Sequence, residues 1–208
     1  MSSNISGSRF NCLIVLPSCK EGVSSQSFIQ CFTLTHSAFA VQIATPGGKN
    51  PEFITEDEQS RKWLNEFRTK AYAVPLSLEI IDANSSDLCE ILLHFIKEKK
   101  LVCAIGMGVT ALLSAKDPGT DSWGFKGYAV TGSSVMELSR WPDFTELPII
   151  AEDALKDAGG SYSASSEPNC VHVQVDRHLV TGQNQASSFT AVQNLVLLSN
   201  QRQAKMNK

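Results

Sequence analysis

The sequence predicts an α/β protein: a three-layer sandwich with a mostly parallel central sheet and helices on both faces. Three observations carry this. The chain opens with an apolar stretch at residues 11–16, a helix-period segment and a second apolar stretch at residues 40–44, the strand–helix–strand order of a parallel crossover. Leu101-Val102-Cys103-Ala104-Ile105 is an unbroken apolar run, as suits a strand covered on both faces. Amphipathic helical segments then alternate with short extended ones through the rest of the chain.

Taken in order, the first strand ends at Pro17, and the loop Pro17-Ser18-Cys19-Lys20-Glu21-Gly22 leads into a helix. Phe28, Cys31, Phe32 and Thr35 share its inward face, and Ser24 or Ser25 is the natural N-cap. The second strand closes at Pro46-Gly47-Gly48. A charged helix over residues 56–69 follows, with a capping box of Thr55 and Glu58 and a stripe of Trp63, Leu64 and Phe67. Residues 75–82 are extended. The next helix takes Ser85 or Ser86 as cap, repeats Leu88, Ile91, Leu92 and Phe95, and ends in Lys97, Lys99 and Lys100, where the dipole favours cations. It feeds the 101–105 strand, and Gly106-Met107-Gly108 then turns the chain sharply into a helix-compatible segment.

Beyond that turn, residues 128–131 form a short strand, and Ser134 with Glu137 caps a helix that ends before Pro142. A helix over residues 152–158 is stopped by Gly159-Gly160. Val171, Val173 and Val175 alternate with His172, Gln174 and Asp176, which predicts a strand with the valines on its buried face. Asp176-Arg177-His178 turns it into a strand at residues 179–181. Residues 181–188 read as a polar loop before a last helix with Val192, Leu195, Val196 and Leu198 inward. The ends, residues 1–9 and 201–208, are polar and expected to fray.

The 208 residues suit a single domain, with 42% hydrophobic and 19% charged residues, both globular values. A net charge of −3 argues against a dominant phosphate-binding surface. No apolar run approaches a membrane span, and the Ser-rich start lacks a signal peptide's pattern, so the default expectation is a cytosolic protein. Cys12, Cys19, Cys31, Cys89, Cys103 and Cys170 include no C-x-x-C pair, and the four histidines show no ligand spacing. Reduced packing cysteines, with Cys19 the exposed one, and no metal are expected. His172 and His178 are placed as solvated hairpin positions.

Three constellations could carry chemistry. Gly106-Met107-Gly108-Val109-Thr110-Ala111 matches the dinucleotide pattern G-x-G-x-x-A, but residues 123–131 lack the acidic residue that pattern requires. Close strand–helix packing explains the glycines better, and no cofactor is expected. Cys103 with His178 as base would be thiol chemistry, yet Cys103 lies within the apolar run, where a thiol stays protonated. Glu21, on the first strand–helix loop, is a lone carboxylate with no nucleophile or metal beside it.

Particular residues then identify a relationship. Ala44-Thr45-Pro46-Gly47-Gly48, Cys103-Ala104-Ile105 leading into Thr110-Ala111-Leu112-Leu113, and Pro148 with Glu152-Asp153 and Gly159 resemble the DJ-1/PfpI superfamily. That superfamily lies within the flavodoxin-like, class I glutamine-amidotransferase-like fold. The resemblance spans residues 11–199 and is strongest to the Hsp31-like branch, whose T-G-Q-N-P-A-S-S signature is matched from Thr181 to Ser188 with Gln185 in place of proline. It implies that the family's nucleophilic cysteine falls on Gly106 and the following histidine on Met107. The vestigial elbow is then Gly106, Met107 and Gly108, and the vestigial pocket Glu21, Gln183 and Asn184. Without a nucleophile, hydrolase or glyoxalase-like chemistry has no covalent route.

A further strand and a glycine-rich turn, present in the family before the helix that precedes the elbow, have no counterpart here. Asp82-Ala83-Asn84-Ser85-Ser86 runs almost straight into that helix. The chain reads as an internally shortened form, with a marginal or rearranged edge expected around residues 76–100. The resemblance implies a non-catalytic subunit, homo-oligomeric as dimer or tetramer. It also implies membership of FERRY, an early-endosomal Rab-effector complex that couples mRNA to endosomes, with RNA contacted through partners. The alternatives are a small hydrolase or glyoxalase-like enzyme and a ligand-sensing pocket protein.

Overall fold

The computed structural model describes residues 9–19, 22–79 and 87–206. The chain divides between Leu78 and Glu79 into two compact units. The N-terminal unit contains β1 (Asn11–Val15), β2 (Val23–Ser24), α1 (Ser25–Ala38), β3 (Ala40–Pro46), β4 (Phe53–Ile54), α2 (Glu58–Phe67) and β5 (Leu76–Leu78). Its main sheet has the order β1-β3-β5 and is parallel throughout, with Ile14 facing Ile43 and Ala44 facing Leu76.

The helices of this unit are held by aromatic packing. Phe28 meets Phe67 edge-on at 5.2 Å between ring centroids, and Trp63 stacks on Phe67 at 5.3 Å. Ser24 caps α1 as expected. The cap of α2 is Asp57 and not Thr55: its Oδ1 accepts from the Ser60 N–H at 2.7 Å and its Oδ2 from the Ser60 hydroxyl at 2.6 Å. A carboxylate one residue ahead of the first helical turn offers two acceptors there, where Thr55 would offer one. Burial pushes the Cys12 and Cys31 thiols up to about 11, which keeps them protonated at neutral pH.

The C-terminal unit contains α3 (Asp87–Lys97), β6 (Val102–Ile105), β7 (Ala129–Val130), α4 (Val135–Leu138), α5 (Ala151–Asp157), β8 (Ser161–Tyr162), β9 (Val173–Asp176), β10 (Leu179–Gly182) and α6 (Ser188–Met206). Its sheet runs β6-β10-β9, parallel between β6 and β10 and antiparallel between β10 and β9, while β7 and β8 form a short parallel pair. Leu92, Val102, Val109, Leu112, Phe125 and Leu155 belong to its core. The expected caps Ser85 and Ser86, and the place of the absent strand, lie outside the described residues. The fold is α/β, as predicted, with parallel strands and packed helices.

Four further local readings change. The turn after β6 enters a 3₁₀ helix, Gly106–Ser114, and not an α-helix. Gly106, Gly108, Val109 and Thr110 are weak α-formers, and the Thr110 and Ser114 hydroxyls donate to carbonyls three residues back at 2.8 Å. The valines are not the buried face here: Val171, just ahead of β9, is 56% and Val175 43% exposed. β9 is an edge strand, and its polar face is the anchored one, with Asp176 accepting from the Ala129 N–H and Gln174 donating to Ser163. Residues 181–184 and 187–188, read as an open polar loop, are buried. Finally, α6 continues to Met206 through the expected polar tail, where the Arg202 guanidinium donates to the Lys99 carbonyl beyond the end of α3.

Candidate functional site

The turn at the end of β6 has the shape of a nucleophile elbow. Gly106 adopts φ +59°, a left-handed conformation that costs an L-residue about 1–2 kcal/mol. A Cβ placed there would meet Ser133 Oγ at 3.7 Å as its nearest neighbour, so space for a side chain exists although none projects. Met107 packs against the core and Gly108 leaves the turn open. Glu21 lies outside the described residues.

Beside the elbow runs a segment that sequence reasoning treated only as a helix start. Ser133 and Ser134 are buried, and Glu137 is only 8% exposed. Glu137 Oε1 accepts from Asn184 Nδ2 at 2.7 Å and from the Asn169 N–H at 3.0 Å. Its Oε2 accepts from the Ser134 N–H and hydroxyl, both at 3.4 Å, in the predicted capping box. Burial alone would raise this carboxyl's pKa; the hydrogen bonds it accepts from the Asn184 side chain and the Asn169 and Ser134 backbone oppose that, and the net shift is downward. A second carboxylate, Glu152, takes the Val135 N–H at 2.9 Å and Lys156 Nζ at 2.6 Å, so the short helix α4 begins on two acids.

Gln183 and Asn184 thus act as clamps. Asn184 also donates to the Cys170 carbonyl at 2.9 Å, while its Oδ1 accepts from the Ser187 N–H and hydroxyl at 3.0 and 2.8 Å. Gln183 Oε1 accepts from the Ser165 N–H at 2.7 Å, and Thr181 Oγ1 accepts from the Thr131 N–H at 2.9 Å. The T-G-Q-N stretch therefore ties the segments around residues 131–137, 165–172 and 181–187 together. The signal available in the sequence was Thr181, Gln183 and Asn184 at the end of a buried strand, a pattern that demands internal partners.

His178 is a correction: it is not solvated but 3% exposed, its Nδ1 3.5 Å from the Tyr128 hydroxyl and its ring against Phe125 and Tyr128. Burial, together with Arg202, Arg177 and Lys99, lowers its pKa against the opposing pull of Asp176. His172 accepts or donates at Nε2 with Ser163 Oγ at 3.0 Å, the nearest approach to a hydroxyl–base pair in this unit. Ser163 is already bonded to Gln174 Nε2 at 2.8 Å, and among the described residues no carboxylate orients the imidazole, as a working dyad requires. Glu137, with its oxygens already bonded to donors, is placed to hold structure and not to take up a proton. Among the described residues no helix is long and apolar enough to cross a membrane.

No family model matches the chain. It is 48% identical to glutamine amidotransferase-like class 1 domain-containing protein 1 of Bos taurus over 221 residues, covering 97% of this chain and 100% of that protein. The Homo sapiens protein of the same name is 46% identical with the same coverage. The matched span of 221 exceeds the chain's own 208 residues, so these relatives carry positions with no counterpart here. Among solved structures, Rapid Encystment Protein 24 kDa of Francisella tularensis superposes with a TM-score of 0.73 at 20% identity, over 90% of this chain and 98% of that one. Glyoxalase III from Candida albicans gives 0.72 at 17%, over 92% and 98%. A ThiJ/PfpI domain protein from Brachyspira murdochii gives 0.53 at 15%, over 94% and 99%. These superpositions show a shared fold.

Proposed function

The chain belongs to the family of glutamine amidotransferase-like class 1 domain-containing protein 1, and on that premise we propose that it is a non-catalytic DJ-1/PfpI-like subunit of a multi-protein assembly. The observation that supports this is Gly106: an elbow with the strained backbone of a nucleophile turn and no side chain to attack with. Glu137 and Asn184 near it are committed to internal hydrogen bonds. The assembly is the FERRY complex on early endosomes, which the chain joins as a homo-oligomer, with mRNA held by partner subunits because this chain carries a net charge of −3.

Affinity capture of the full chain followed by native mass measurement tests the reading. Recovery of stable partner subunits is the expected result, and recovery of a lone monomer overturns it. Gly106→Cys supplies the sharper chemical test. The Cβ fits, the backbone strain costs about 1–2 kcal/mol, and no turnover of methylglyoxal or a small ester is expected. The rival reading, an enzyme like the glyoxalase III whose fold it shares, requires turnover by the unaltered chain that Cys19→Ser or Cys103→Ser abolishes.

A further inference from the structure

Among the described residues β9 is the outer strand of its sheet and pairs with β10 alone. Two residues, Arg177-His178, join the facing pair Asp176 and Leu179. In a two-residue hairpin that closing pair exchanges both hydrogen bonds, and the ladder alternates from there. The Gln183 N–H donating to the His172 carbonyl at 2.9 Å continues the alternation. The peptide groups of Asp176, Gln174 and His172 therefore face β10, while those of Val175, Val173 and Val171 point away from the sheet. Among the described residues, none of those three valines has a backbone partner on that side.

This edge carries none of the usual protection. No lysine, arginine or proline lies between Val171 and Asp176, and Val171 and Val175 are exposed. The strand's one acid is neutralised: Asp176 accepts from the Ala129 N–H at 2.9 Å and pairs with Arg177 at 3.3 Å. We infer that β9 pairs with β9 of a second copy, antiparallel about a two-fold axis at Val173, a deepening that rests on the homo-oligomeric part of the proposed function. Val173 then faces its own symmetry mate, and Val171 faces Val175 of the second copy. Each facing pair exchanges the N–H and carbonyl groups that a lone chain leaves unused. Such an interface is self-complementary, as a two-fold requires.

The test uses the full chain. Native mass measurement is expected to give a dimer, and Val171→Lys/Val175→Lys, at two exposed positions, a monomer with unchanged circular dichroism and Tm. In a Cys19→Ser/Cys170→Ser background, Val173→Cys is expected to form a covalent dimer with a short bismaleimide cross-linker, because facing Cβ atoms lie about 4.5–5.5 Å apart. Gln193→Cys, exposed on α6, is the control that should not cross-link. A dimer that survives the double lysine variant and shows no Val173→Cys cross-link overturns this edge and leaves the assembly reading standing. A chain that is monomeric alone also overturns it; if that chain captures no other subunit, the assembly reading falls as well.

Discussion

Glu137→Ala is expected to cost about 3–5 kcal/mol of stability, because it strands several donors at once and each buried unsatisfied donor costs about 1–3 kcal/mol. The Asn169 N–H and the Ser134 hydroxyl and N–H lose their acceptor, and Asn184 Nδ2 keeps only the Cys170 carbonyl. Glu137→Gln should cost less, since one acceptor oxygen remains, but its amide group then faces donors on one side. The pH dependence has a definite sign. The folded carboxyl titrates below its ordinary value, so its contribution is complete above the unfolded pKa of about 4.3 and is lost as pH falls through the folded value. Denaturant titrations at pH 7 and on stepping through acid should show a larger acid-side loss in the unaltered chain than in Glu137→Gln, where Asp57 and Glu152 still contribute. Asn184→Ala combined with Glu137→Ala should cost less than the sum of the two, because they share one bond. Equal stability of Glu137→Ala and the unaltered chain at neutral pH would remove the clamp from this account.

That carboxylate also marks the limit of what could be read in advance. Strands built from unbroken apolar runs were legible, and β1, β3, β6 and β10 lie where the runs are. Helix faces with large apolar side chains were legible too, as were stops as plain as Gly159, at φ +90°. The capping box at Ser134 and Glu137 was predicted and is present, but its local geometry hid a second role. Glu137 Oε1 serves Asn184, far along the chain, and no periodicity reports a bond of that range.

β9 misled for a related reason. Alternation says that two faces differ but not which one is covered, and here Asp176, Gln174 and His172 have partners within the unit. His178 adjoins a turn, the usual place for a solvated side chain, yet an aromatic pocket of Phe125 and Tyr128 encloses it. The extension of α6 depended on Arg202 reaching Lys99, another contact between distant residues. At the elbow the outcome is mixed: Gly106 takes the strained turn predicted for it, Gln183 and Asn184 are buried beside Glu137, and Glu21 lies outside the described residues.

Phe125→Ala is expected to cost about 3–5 kcal/mol, the range for emptying a fully buried aromatic site. For a chain of this size that lowers Tm by roughly 2–4 °C per kcal/mol. Phe125 meets Trp123 at 5.9 Å and Tyr128 edge-on at 5.5 Å, and lies 6.2 Å from His178. Trp123 in turn donates its indole N–H to the Leu112 carbonyl at 2.7 Å, late in the 3₁₀ helix that follows Gly106. The phenyl ring thus supports the elbow through a chain of contacts, although the elbow has no side chain to present. Loss of the ring should therefore do more than lower Tm: it should loosen Trp123, change its fluorescence and speed amide exchange from Gly108 to Leu113. Phe125→Leu refills most of the volume and should cost less than about 1.5 kcal/mol with the elbow still protected. If Phe125→Ala lowers Tm yet leaves exchange at Gly108 to Leu113 unchanged, the elbow is not held by this cluster. If exchange rises as expected, the turn is held in place by the packing of this cluster.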